Sequence, residues 1–263
     1  MIPSPVDSWA QIYLYPLLVT MGLWSSLTLG LLWMNRRTLR QQRVVMLLLL
    51  AGVALLHQQL WSVRNDLTAW GCYTSFIAGM LIWTWHELAF YSGVLTGPWR
   101  KPCPPEARGR QRFRYALGTH LYHEIAIILE MLLLGWMLRD AANQLGLLTL
   151  VLGWALMQSA KLNVLLGVRS LPVHWLPEHL RYLGSFWTQR PSNPFFLPSI
   201  LISSLVAGLL WLQSARLAPD PSAIGMTLLA VLATLGVLDH WLLVLPLYNQ
   251  QPASTRRRDK VTG

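Results

Sequence analysis

Two His-Glu pairs stand inside apolar sequence: His86-Glu87 in WTWHELAF and His123-Glu124 in LYHEIAIILE. His120 lies one helical turn before the second pair and Glu130 lies seven residues beyond His123, while Asp239-His240 interrupts an apolar run near the C-terminal end. Imidazoles and carboxylates can ligate a divalent ion or hold a proton, and imidazole can ligate a pigment or haem metal. On a helix, His120, His123 and Glu124 share a face through i, i+3 and i, i+4 spacing, with Glu130 near it. The ligand set for iron, manganese or zinc that this pattern suggests is Glu87, His120, His123, Glu124 and Asp239. His86, Glu130, Glu178, His179 and His240 are alternative or outer ligands. Soluble di-iron bundles use Glu-x-x-His. Here the pairs are adjacent, and neighbours on a helix diverge by about 100°, which leaves one member of each pair for a common centre. A structural use competes with the metal: Lys161 neutralises an acid, Asn163 and the histidines bridge helices, and carboxyl groups hydrogen-bond. His57, alone in its segment, reads as a helix-bridging donor.

The elements that must position these groups are membrane helices. The chain has 263 residues, of which 54% are apolar and 12% charged, against roughly 25% charged in soluble domains. Seven apolar segments are long enough to cross about 30 Å of hydrocarbon: 12–34, 44–61, 70–95, 116–138, 145–168, 196–214 and 223–247. Continuous apolar runs without ten-residue alternation predict helices and not a barrel. The expected fold is thus a single all-α polytopic membrane domain over residues 1–263. An ionisable group inside such a helix costs roughly 2.5–3.5 kcal/mol on insertion scales. Glu87, Glu124, Lys161 and Asp239 all fall about seven or eight residues from the same predicted side, roughly 12 Å deep, and so share one layer.

Charge gives the orientation. Seventeen of the 21 Lys and Arg residues fall in loops 35–43, 96–115 and 169–195 and in the tail, against Arg64, Arg139 and Arg216 on the other side and Lys161 within a span. This bias puts the N-terminus outside and the C-terminus in the cytoplasm, and it accounts for the +10 formal charge without a nucleic-acid partner. Trp9, Trp61, Trp70, Trp136 and Trp211 mark outer ends, and Trp33, Trp99, Trp175, Trp187 and Trp241 inner ends. The first segment is too long for a signal-peptide core and reads as an uncleaved span. Loop 169–195 alternates apolar and charged residues. Pro177 can open a short helix there, with Leu180, Leu183 and Trp187 on one face, as an amphipathic segment on the cytoplasmic surface. Residues 250–263 form a basic tail. Cys72 and Cys103 sit at opposite ends of the third segment, too far apart to pair.

No dinucleotide-binding glycine motif, phosphate-binding loop, HExxH or nucleophile elbow occurs. Four stretches do resemble a known family: WHELAFYSGVLTGP (85–98), LYHEIAIILE (121–130), KLNVLLGVRSLPVHWLPEHLRYLGSFW (161–187) and DHWLLVLPL (239–247). Together they resemble the photosynthetic-complex assembly proteins of purple phototrophic bacteria called PuhE, with 161–187 the most specific. The resemblance implies a multi-pass protein of the bacterial inner membrane that supports assembly of the reaction-centre and light-harvesting complex or its bacteriochlorophyll supply. It also implies reaction-centre or light-harvesting subunits or pigment-synthesis enzymes as partners, beside membrane lipid. It brings no site residues with it. Three uses of the polar layer therefore stand together: an assembly factor without chemistry, an intramembrane metal oxidase or desaturase acting on a pigment or lipid precursor, and a bacteriochlorophyll or haem carrier through His ligands.

Overall fold

The computed structural model describes residues 8–171, 173 and 176–245. The tail at 250–263, the last residues of the seventh expected segment and Trp175 lie outside them. Eight α-helices follow one another: α1 (Ala10–Asn35, opening with one π turn), α2 (Leu39–Ser62), α3 (Ala69–Tyr91), α4 (Gly109–Gly118), α5 (Leu121–Met137), α6 (Leu145–Leu166), α7 (Phe196–Leu217) and α8 (Ser222–Leu242). A 3-10 segment, Glu178–Phe186, lies between α6 and α7. No strand occurs among the described residues, only an isolated bridge between Val168 and Gln189.

α1, α2, α6, α7 and α8 are each long and apolar enough to cross a membrane, and α4 with α5 makes a sixth such unit if counted as one bent span. α3, 23 residues long, is less apolar because it carries small polar residues, aromatics and His86-Glu87. It can carry them because it runs through the protein interior, packed against α2, α6 and α8. α8 is the other central helix, packed on α1, α6 and α7. Their inner faces form one core around Phe76, Met80, Leu145, Ile224, Leu228 and Leu232. The outside is covered by exposed leucines, among them Leu47 and Leu48 on α2 and Leu197, Leu201 and Leu205 on α7, which suits lipid as solvent.

Where helix ends depart from the apolar runs, capping explains the difference. α2 begins at Leu39 and not at 44, because Thr38 and Gln41 form a reciprocal capping box (3.3 and 3.1 Å) and Arg40 to Arg43 are good helix formers. α3 stops at Tyr91 because Gly93 takes a positive φ of 72°. α3 and α6 cross where Gly79 meets Gly146: a Cβ on Gly79 would lie 2.6 Å from the Gly146 carbonyl oxygen. Small residues allow this approach, as is common where helices pack in membranes.

The fourth expected segment, 116–138, is not one helix. α4 and α5 meet at a 65° bend across Thr119-His120. The loop after α3 inserts at the bend and takes up the freed backbone groups. The Trp99 N–H donates to the Gly118 carbonyl (3.0 Å), and the Tyr122 and His123 N–H groups donate to the Thr96 carbonyl (3.0 and 3.1 Å). Gly97 makes the fit possible, since a Cβ there would sit 2.1 Å from the Gly118 oxygen.

The 169–195 region likewise differs from expectation. Residues Glu178–Phe186 form a 3-10 helix, so the apolar face repeats every three residues and consists of Leu180, Leu183 and Phe186, with Phe186 in place of Trp187. All three are buried in the protein. Arg112 of α4 fastens the end of the segment by donating to the Phe186 carbonyl (2.6 Å) and to Thr188 Oγ1 (2.9 Å).

Candidate functional site

The buried polar residues come together in pairs and small networks. Glu124, at the first turn of α5, is 6% exposed and accepts three hydrogen bonds from one neighbouring helix. Trp154 Nε1 (3.0 Å) and Gln158 Nε2 (2.6 Å) donate to Oε2, and Lys161 Nζ (2.6 Å) donates to Oε1. Residues 154, 158 and 161 follow i, i+4, i+7 spacing, so a single face of α6 presents all three donors. The carboxylate also lies where the α5 N-terminus favours a negative charge. Both carboxylate oxygens are thus bonded, and a cation stands beside them.

Two other contacts join α3 to its neighbours. His123 of α5, 1% exposed, places Nε2 3.5 Å from Glu87 Oε1 of α3, and its ring packs beside Phe90 at 5.0 Å between centroids. Glu130 of α5 lies between two histidines: His57 of α2, whose Nε2 is 2.6 Å from Oε1, and His86 of α3, whose Nε2 is 3.6 Å from Oε2. His57 Nδ1 lies 2.8 Å from the Val53 carbonyl oxygen, which orients the ring. Glu130 thereby connects α2, α3 and α5, and His57 does bridge two helices.

The remaining sequence candidates make other contacts. His120 is not on the α5 face that the spacing suggested. It occupies the N-cap position with φ −133°, and its Nδ1 contacts Thr119 Oγ1 at 3.0 Å. The i, i+3 and i, i+4 relation to His123 and Glu124 fails there because the helix breaks. Glu130, expected near the Glu124 face, serves His57 and His86 instead. His240 belongs to a separate α8–α6 contact, with Nε2 2.9 Å from Ser159 Oγ and Nδ1 2.7 Å from the Gly236 carbonyl. Asp239, its neighbour, makes no hydrogen bond or ion pair with any described residue. Glu178 is exposed, and His179 packs over Gly93, 3.2 Å from where a Cβ would stand. Neither covers the Glu124 network. Asn163 is a structural link: its Nδ2 donates to Ser199 Oγ of α7 (2.9 Å), and it accepts from Asn193 Nδ2 (3.1 Å).

Among the described residues, no three of His, Cys, Asp and Glu are placed to share one metal ion. Of the five-residue set, Glu87, His120, His123 and Glu124 lie within electrostatic reach of one another and of Lys161, while Asp239 lies on α8 and bonds to no described residue. What the arrangement does is hold helices: it joins α5 to α6, α5 to α3 and α5 to α2 through groups that lipid cannot satisfy. Gln158 and Ser159 carry no signal of their own in the sequence, and Trp154 reads there as a packing residue. The i, i+4, i+7 spacing of Trp154, Gln158 and Lys161 was legible, but nothing in it identified the acid they serve.

Residues 11–252 match the family described as protein of unknown function, DUF3623. The chain is 34% identical over 238 residues to a Rhodobacter capsulatus protein described as an uncharacterized 30.4 kDa protein in the puhA 5' region, covering 89% of this chain and 87% of that one. No solved structure matches. An all-helical chain with buried interhelical ion pairs, matched over nearly its whole length, belongs to the DUF3623 family.

Proposed function

We propose that this protein is a multi-pass inner-membrane factor of the PuhE type, supporting assembly of the photosynthetic reaction-centre and light-harvesting complex or its bacteriochlorophyll supply. The observation that carries the reading is the relative from a phototroph whose description locates it in the puhA 5' region. The resemblance of residues 85–98, 121–130, 161–187 and 239–247 to that family supports it. In this reading α3 is a span and α4–α5 is one bent span, giving seven crossings. The charge bias puts the N-terminus outside and loops 35–43, 96–115 and 169–195 in the cytoplasm. The polar layer then lies in the cytoplasmic half and acts as a set of pins that fix helix register. Glu87, His123, Glu124, Glu130 and Lys161 are its members.

Deleting the gene in a phototrophic host tests the process. Near-infrared absorption of the membranes should fall in reaction-centre and light-harvesting bands and return with the wild-type gene. Unchanged bands would refute the role. A second reading, a protein that carries pigment or haem through histidine, draws on one observation: Nδ1 of His86 and of His123 has no hydrogen-bond partner. An absorption spectrum and metal analysis of the purified protein separate the two. A stoichiometric chromophore or ion lost in His123→Gln favours the second.

A further inference from the structure

α4 has two sides that do different work. Arg112 and Ala116 face the protein, the first bonded to Phe186 and Thr188 and the second buried. Arg110, Phe113, Arg114 and Leu117 follow i, i+3, i+4, i+7 spacing, so they share the other side. All four are exposed, Phe113 by 45% and Leu117 by 39%. Arg110 and Arg114 bond to no described residue, and segment 96–115 holds six cations against one acid, Glu106. Beside Arg114 opens a cleft of about 320 Å³ lined by Pro98, Trp99, Gln111, Arg114, Tyr115 and Gly118. The Trp99 and Tyr115 rings lie 4.3 Å apart between centroids at its wall.

We propose that this side of α4 and its cleft bind the headgroup of an anionic phospholipid. The 65° bend is the geometric reason. α5 continues into the apolar bundle, so α4 must leave along the bundle's end, at the depth where headgroups lie. Arginine interleaved with Phe and Leu on one face suits a surface that offers phosphate and acyl chain together. A soluble acidic partner would complement the arginines but not the two exposed apolar side chains. The Arg114 guanidinium supplies a planar fork for phosphate oxygens, with the Gln111 amide and Tyr115 hydroxyl as further donors. Trp99 and Tyr115 are the amphipathic rings expected at that depth.

Native mass spectrometry of the detergent-purified full chain tests this, titrating phosphatidylglycerol, phosphatidylcholine and inorganic phosphate separately. Wild-type protein should retain phosphatidylglycerol over phosphatidylcholine, and phosphate should not displace it. Each charge-assisted hydrogen bond to the headgroup is worth about tenfold, so R110Q/R114Q should lose about 100-fold in phosphatidylglycerol retention. R36Q/R40Q, which removes equal charge at another loop, should lose little. F113S/L117S should weaken both lipids. Equal retention of the two lipids by wild type overturns the proposal whatever the variants do. So does displacement by phosphate, or an equal loss in R36Q/R40Q, which would make the effect one of general charge.

Discussion

Glu124 and Asp239 are both acids within apolar helices, at similar distances from helix ends in the sequence, and the structure treats them in opposite ways. Glu124 is buried and accepts hydrogen bonds from Trp154, Gln158 and Lys161. Asp239 is half-buried between the exposed Leu238 and the buried His240, and bonds to no described residue. The comparison teaches that the presence of an acid in a span does not define a site. What matters is whether a neighbouring helix presents donors in register. α6 does so for Glu124, and among the described residues none does so for Asp239.

The largest expected effect comes from removing the cation of the satisfied pair. Lys161→Met leaves the Glu124 carboxylate buried with its charge uncompensated, and should cost about 3 kcal/mol. That is the low end for a buried pair because the Lys161 side chain is 28% exposed. Resistance of the detergent-purified protein to a denaturing detergent measures it. A loss below about 0.5 kcal/mol, as for a surface pair, would place Glu124 with Asp239.

Next comes the bend that puts Glu124 at the first turn of α5. Gly97→Ala drives a Cβ into the Gly118 carbonyl. It should cost about 2 kcal/mol by overpacking, with faster proteolysis in segment 96–120. Equal stability and equal cleavage would mean that the loop does not hold the bend.

Asp239→Asn sharpens the contrast from the other side. Removing an acid that has no partner among the described residues should leave stability unchanged or raise it by up to about 1 kcal/mol. A clear loss would reveal a partner for Asp239 and weaken the distinction.

The smallest effect lies in the 3-10 segment. Burial, with Arg43 nearby, holds the His179 imidazole below its ordinary value of 6.5, against the backbone bond to Tyr91 that raises it. A group with a lowered value in the folded chain is neutral there, so its stabilisation is present above 6.5 and declines as pH falls below it. His179→Gln should flatten the dependence of 169–195 proteolysis on pH between 7 and about 5.5. A slope equal to that of the wild type would assign the effect elsewhere.

Hydropathy made the helical class and most span positions legible, because lipid demands satisfied backbone and apolar length. It did not show the break at Thr119-His120. The residues there are ordinary in a helix, and the cause is a remote loop, Thr96 to Trp99, supplying alternative hydrogen bonds. The position of His120 at the N-cap of α5 follows from that single tertiary contact. The presence of buried polar residues on neighbouring helices was legible, since they interrupt apolar runs. Their pairing was not, because rotation of each helix about its axis depends on packing such as Gly79 on Gly146. Glu130 therefore pairs with His57, which the sequence left alone in its segment.

A double-mutant cycle on Glu124→Gln and Lys161→Met tests most directly whether the layer is structural. Unfolding free energies of wild type, both single variants and the double variant would be measured in one detergent. If the pair is a pin, each single change destabilises, and the double variant recovers part of the loss, giving a coupling of about 1–3 kcal/mol. Additive losses, with coupling near zero, would contradict that role and return Glu124 to the residues whose purpose has to be sought in a ligand.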